Sequence, residues 1–316
     1  MSEEISKRSH GSSEPARTTE DLAVTGLSAR FRMLLSPAVM PVLLPLLVLV
    51  CHWRIVHGYA LQVRYVSTQR WELIALGLAG VLTILMRRPT VHIPRRFLSA
   101  TLVILLQVAL FPCTPPEVRG ALLATTLTLV IAPLWLGRRY SAGLHGILLL
   151  AQPFVPLFQF QLGYPLRATC AKLAAGILSL GLLDVTARGT ALEWSGTSVF
   201  VDAPCSGIRM LWSGMLLTFA LAMALDLGAR RTALLAGIGF CGLLLANGLR
   251  AAALFYIEAG LIEAPAWAHE CIGLVSFALV GLGMLWGTRN WVRNPSNSGP
   301  MGQNGVHSEE PSQCGT

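Results

Sequence analysis

Charge is what this sequence has least of. Of its 316 residues, 13% are charged and 53% hydrophobic, and the mean hydropathy is +0.59. A water-soluble domain carries roughly 25% charged residues. The composition therefore excludes an ordinary soluble fold and points to an integral membrane protein. The seven cysteines include no C-x-x-C pair and no zinc-like Cys…His spacing; His52 and His57 near Cys51 are the nearest thing to a cluster. Neither a metal, a disulfide framework nor any other cofactor is expected. Lysine is almost missing between the termini, where Lys172 stands alone. No Gly-x-Ser-x-Gly serine is paired with a later histidine, which disfavours a serine membrane protease. The net charge of +8 is not a nucleic-acid footprint, because the arginines sit in short loops between apolar runs. The positive-inside rule accounts for them.

What is there is a succession of nine apolar segments, at about 37–51, 72–86, 97–112, 120–136, 141–158, 166–184, 208–227, 232–257 and 268–287. They are too many and too internal for one signal peptide, and the first is expected to remain as a span. Residues 1–35 and 289–316 are polar, rich in Ser, Glu, Arg and Thr or in Pro, Ser, Asn and Gly, and read as disordered cytoplasmic tails around a membrane domain at 36–288.

Arginine pairs set the orientation. Arg87-Arg88 with Arg95-Arg96, then Arg138-Arg139, then Arg230-Arg231, and finally Arg289 and Arg293, each mark a cytoplasmic position. If all nine segments crossed, the third of these marks would fall on the wrong side. Segment 166–184 carries Arg167, Lys172 and Asp184, and charges are rare in lipid-facing spans. It is therefore expected to lie on or dip into the outer face. The expected fold is all-α, a polytopic helical bundle of about eight transmembrane helices plus one interfacial or re-entrant helix. Both termini would be inside and residues 159–206 outside.

The informative stretch is Val201-Asp202-Ala203-Pro204-Cys205-Ser206-Gly207-Ile208-Arg209. Thr197–Val201 is β-branched and aromatic and reads as a short strand. Pro204 suits a helix start, and an apolar helix follows from Ile208. Cys205 would lie at the first turn or cap of that helix, where free N–H groups and the helix dipole favour a thiolate. It is a candidate nucleophile; the other interior cysteines, Cys51, Cys113, Cys170, Cys241 and Cys271, are expected as small buried space-fillers.

Two later helices bring Arg250 and His269 to the same outer depth. An arginine within a span faces a cavity or a partner, or snorkels to the headgroups. A histidine beside Trp267 moves protons or simply sits at the interface. Asn247, one turn before Arg250, suggests a polar lining. Arg209, four residues after Cys205, would hold the thiolate or a substrate carboxylate, or serve as an interfacial anchor. Ser206 and Gly207 leave room for close approach of a substrate. Asp202 reads as a capping residue and Glu270 as water-facing. A thiolate, an oxyanion-stabilising arginine and a proton-shuttling histidine are the parts of acyl transfer.

These residues resemble the exosortase/archaeosortase family. The resemblance is carried by the Cys205-Ser206-Gly207 run, by Asn247-Gly248-Leu249-Arg250, by His269-Glu270-Cys271-Ile272-Gly273 and by the proline pair Pro153 and Pro156. It spans roughly residues 70–288. Pro204 departs from the acidic or alanine residue of the family pattern. The resemblance implies a membrane transpeptidase with Cys205 as nucleophile, Arg250 as oxyanion or carboxyl stabiliser and His269 as acid/base. Arg209, Asn247 and Ser206 would support these residues or bind substrate. Substrates would be exported proteins ending in a short motif (Pro-Glu-Pro in the bacterial type), a hydrophobic span and a basic cluster. The acceptor would be a lipid or envelope component, in the setting of exopolysaccharide production. The resemblance further implies a stand-alone enzyme in the bacterial inner membrane, with its active site at the periplasmic face. Two other readings use the same residues differently: a thiol-dependent membrane protease releasing product to water, and a non-catalytic transporter or lipid-binding protein. Cys205→Ala separates the latter from both enzymes.

Overall fold

The computed structural model describes residues 39–65, 71–88, 98–110, 113–201, 207–265 and 267–293. The terminal tails, and residues 202–206 with Asp202, Cys205 and Ser206, lie outside the described residues. The described residues form ten helices and three short strands in chain order. They fall into two compact units, residues 1–67 with 83–141 and residues 68–82 with 142–316.

The first unit holds α1 (Met40–Cys51), α2 (Trp53–Tyr65), α4 (Leu98–Leu110) and α5 (Pro116–Trp135). α1 and α2 form a bent pair, turned by 80° at His52. The sequence reading assigned no helix to 53–65, because its arginines and histidine interrupt the apolar run. α5 starts on Pro116, whose fixed φ suits the first turn and whose missing N–H has no helical partner to lose. Its buried Thr126 and Thr128 donate to the carbonyls of Leu122 and Ala124, at 3.0 and 2.8 Å, so neither hydroxyl is left unsatisfied among apolar neighbours. His52 is held by Val48 O and Gln107 Oε1, each at 2.7 Å, rather than by Cys51.

The second unit contains the N-terminal part of α3 (Trp71–Leu85), then α6 (Ala142–Leu150), α7 (Val155–Leu180), β1 (Thr186–Arg188), β2 (Ala191–Trp194), β3 (Thr197–Phe200), α8 (Ile208–Ala224), α9 (Ala229–Glu258) and α10 (Ala268–Arg293). Here the expected boundaries need correction. The apolar segments 141–158 and 166–184 are not two separate helices split near 160. They are α6 and a continuous 26-residue α7, bent by 89° at residues 151–154. Two prolines account for this: Pro153 lacks an N–H and disfavours helical geometry at the residue before it, and Pro156 sits in the first turn of α7, where a missing N–H has no helical partner to lose. Pro165 lies inside α7 without ending it.

The fold is also not purely helical. β1, β2 and β3 form an antiparallel meander, pairing Thr186 with Glu193 and Ala191 with Phe200. The strand expected at 197–201 is β3; its partners were hidden because three- and four-residue strands carry too little alternation to read. Ser195 and Gly196 turn the chain with φ of 48° and 83°, the two positive values that a tight hairpin needs. Leu192 of β2 and Val201 pack with Cys170, Ala174 and Leu178 of α7 and with Ala252 and Phe255 of α9 in one buried cluster. The sheet is thereby fastened to the same ends of two helices, driven by the removal of these apolar side chains from water.

Among the described residues, three helices are each long and apolar enough to cross a membrane: Pro116–Trp135, Ala229–Glu258 and Ala268–Arg289. The two bent pairs raise the number to five if each counts as one span. Trp71–Leu85 and Ile208–Ala224 are apolar but shorter. This is a polytopic helical membrane protein, and its length criteria do not yield eight separate spans. Four cysteines depart from the expected buried role: Cys51, Cys113, Cys241 and Cys271 are exposed, whereas Cys170 is buried. In a membrane helix an apolar thiol can face lipid as readily as core, so the hydropathy of the run does not fix its direction.

Candidate active site

The site grows out of the junction between the sheet and α8. Val201, the last described residue before the cysteine motif, is buried, and its N–H donates to Thr190 O at 2.9 Å. Gly207, the first described residue after it, takes φ +75°, a left-handed conformation that costs glycine little. A second constraint acts on the same residue. A Cβ built at Gly207 would stand 2.5 Å from Asn247 Nδ2, so the glycine lets the start of α8 rest directly on α9. Gly207 O then accepts from Leu211 N at 2.7 Å and opens the helix. Residues 202–206 are thus bounded by two fixed points.

Asn247 is buried at that contact. Its Nδ2 donates to Cys170 Sγ at 3.3 Å, and the Cys170 thiol donates to Asn247 O at 3.4 Å. This reciprocal pair locks α7 to α9. Asn247 was expected to share a polar lining with Arg250. Its amide instead supports Gly207 from beneath, while Arg250, three residues on, lies against Gly273 of α10.

Arg250 borders a cavity of about 370 Å³ within the second unit. Arg209 and Ser213 of α8, Gln159 of α7 and Glu72 of α3 border it too. Its apolar walls include Trp71, Trp212 and Phe277. Arg250 lies against Gly273 of α10, where a Cβ would come within 3.2 Å of its Nε. That Nε is buried and has no hydrogen-bond partner among the described residues. A guanidinium that borders a cavity with a buried N–H left unpaired is suited to an oxyanion or a carboxylate. Arg209 is exposed and joins it from another helix.

His269 sits apart from the cavity lining, in the first turn of α10 and one turn before Gly273. Its Nε2 lies 3.1 Å from Glu258 Oε1, at the end of α9. Both side chains are about half exposed. The carboxylate gives one ring nitrogen a partner across the turn between α9 and α10, a contact that orients the imidazole. Sequence reasoning missed Glu258 and Glu72. Glu258 is eleven residues from His269 with a turn between them, and Glu72 stands in a helix far from the motif. Glu72 had one visible signal: a lone carboxylate at the head of an apolar run.

The chain matches the family model for transmembrane exosortases (Exosortase_EpsH) over residues 38–287. It belongs to the exosortase family. No curated protein and no solved structure matches it. The match takes in α1 to α10 almost end to end and leaves out both polar tails. Exosortase membership supports a sorting-related transpeptidase role in a membrane, with proteins carrying sorting signals as the class of substrate. The earlier resemblance rested on a region starting near residue 70; the exosortase match extends to the first unit as well.

Proposed function

We propose that this exosortase is a cysteine transpeptidase of the bacterial inner membrane. It cleaves the C-terminal sorting signal of exported proteins through a thioester at Cys205 and transfers the new C-terminus to an envelope acceptor. The observation that carries this reading is the convergence of Arg209 and Arg250, from two helices, on one cavity, with Arg209 two residues after the glycine of the Cys-Ser-Gly run.

The chemistry follows from these parts. The Cys205 thiolate attacks the peptide carbonyl, and Arg250 stabilises the negative charge that develops on its oxygen. His269, oriented by Glu258, gives a proton to the departing amine and later takes one from the incoming nucleophile. Arg209 binds an acidic group of the sorting motif. Asn247 and Gly207 hold the start of α8, and Ser206 leaves the backbone open to substrate. The apolar walls keep water from the thioester, which favours transfer over hydrolysis.

The orientation has two supports. An open three-stranded sheet has unpaired backbone groups along its outer edges and cannot rest in hydrocarbon, so residues 186–200 belong at an aqueous face. Counting α6 with α7 as one crossing removes the conflict among the arginine marks: Arg138-Arg139 and Arg230-Arg231 both fall inside, and the sheet falls outside. Cys205, Arg250 and His269 then share the periplasmic side, and both termini are cytoplasmic.

The test is co-expression with a secreted reporter ending in Pro-Glu-Pro, a hydrophobic span and an arginine cluster, with the reporter's C-terminus read by mass spectrometry. Cys205-dependent cleavage with an added mass is the expected result. A free carboxylate at the new terminus would make the protein a thiol protease instead. Normal processing of a genomic substrate by Cys205→Ala would end the catalytic reading.

A further inference from the structure

Glu72 is the most deeply buried acidic side chain among the described residues, at 0% exposure. It heads the buried face of α3, followed by Ala75 and Ala79 at helical spacing. Both of its carboxylate oxygens lack a hydrogen-bond partner among the described residues. It borders the same cavity as Arg209 and Arg250, yet it is bonded to neither. Burying a carboxyl without a partner costs stability, and a cavity that already holds two guanidinium groups offers an easy partner. That the pair is not made leaves one acidic and two basic groups of the cavity available to something that enters it. Trp71, Trp212 and Phe277 line the same cavity, and aromatic rings can attract a cation.

We propose that Glu72 is a catalytic residue that receives the acceptor, and that this acceptor is a primary amine. The proposal rests on the transpeptidase reading above and concerns its second half. The acceptor enters as an ammonium and pairs with the Glu72 carboxylate between the aromatic walls. It gives one proton to Glu72. The neutral amine attacks the thioester carbonyl, whose oxygen is held by Arg250. A C–N bond forms and the C–S bond breaks. The second proton passes by way of His269 to the departing Cys205 sulfur. Thioester, ammonium and carboxylate thus become amide, thiol and carboxylic acid, with charge and protons balanced. The two arginines take the acyl donor and Glu72 takes the acceptor, so the opposite charges of one cavity divide the two half-reactions. An aminolipid headgroup and a peptide or glycan amine share this chemistry.

The experiment uses the full chain in native membranes with the sorting reporter, comparing wild type, Glu72→Gln and Glu72→Asp. Gel mobility with and without hydroxylamine measures the fraction trapped as thioester. In Glu72→Gln the transfer step is expected to slow by about 100-fold, the typical worth of a lost general base, and the trapped thioester to rise. Hydroxylamine, which is already neutral at pH 7 and needs no base, should release the trapped reporter from Glu72→Gln as fast as from wild type. Glu72→Asp should recover part of the transfer. The adduct should be an amide, and its mass tells an acyl-chain-bearing headgroup from a peptide or glycan amine. Wild-type transfer by Glu72→Gln, an ester adduct, or loss of thioester formation in both variants would each overturn the assignment. Absence of a Cys205 thioester in wild type would overturn the underlying transpeptidase reading instead.

Discussion

Each residue of the proposed set makes a separable claim. Replacing Arg250 by Lys keeps the charge but loses the planar fork that rests on Gly273. Processing should fall by about 100-fold, the cost of one oxyanion donor, while Cys205→Ala abolishes it. Reporter cleavage rates in membranes measure both. Glu258→Gln leaves a hydrogen bond to His269 but removes the charge. Because the pair is half exposed, the effect should be small, roughly threefold in rate. A loss as large as that of His269→Ala would mean that Glu258 does more than orient the ring. Glu270, next in sequence to His269, is exposed and has no such role; Glu270→Gln should process the reporter as wild type does.

At the scale of elements, the unit that holds the site is built on glycines at helix contacts. A Cβ at Gly143 of α6 would stand 2.5 Å from Met223 N, and one at Gly214 of α8 would meet Leu243 of α9. Small residues let helix backbones approach closely where lipid offers no hydrophobic drive between them. Gly207 combines this with a left-handed φ. Gly207→Ala should therefore destabilise the protein by about 1–3 kcal/mol, seen as a lowered Tm in detergent. Measured against Asn247→Ala alone, which itself loses the bond to Cys170, Gly207→Ala should cost only the backbone strain and no steric part. No cost at all in that background would show that φ there is free to change.

Much of this layer was legible. The helices at 208–224, 229–258 and 268–293 follow from unbroken apolar runs, and the strand before the motif follows from its β-branched residues. Cys205, Arg250 and His269 stood out because polar side chains are conspicuous in such runs. The α6–α7 break was half visible in Pro153 and Pro156, but hydropathy averaged over a window placed it several residues late. The cavity was not legible at all. It depends on what packs against α9: Asn247 and Arg250 are neighbours on one helix face, yet Asn247 is taken up by Cys170 of α7 while Arg250 reaches the cavity beside Gly273 of α10. Glu72 and Glu258 escaped for a related reason: their partners in space are far away in sequence, and no periodicity links them.

At the scale of the whole molecule, the reading stands on topology. Single cysteines introduced at Gly196 and Glu263, in a background without the exposed native cysteines, should react with a membrane-impermeant maleimide from the periplasm. Cysteines at Gly137 and Gly228 should react only after the membrane is opened. Protection of Gly196 together with labelling of Gly228 would invert the orientation and separate the site from exported substrates. The two-sided pattern tests the crossing count directly, since α6 with α7, then α8, then α9 must alternate in direction between these four positions.

The β2–β3 turn has a use beyond supporting the motif. Ser195 and Gly196 are exposed, and the inner face of the sheet is fastened by Leu192 and Val201 rather than by the turn itself. Loop tips of this kind accept insertions. A short epitope placed between Ser195 and Gly196 would give an antibody fragment a grip on the exposed end of the sheet. Such a particle would be large enough to align in electron micrographs, and the insertion leaves the Cys-Ser-Gly run itself untouched.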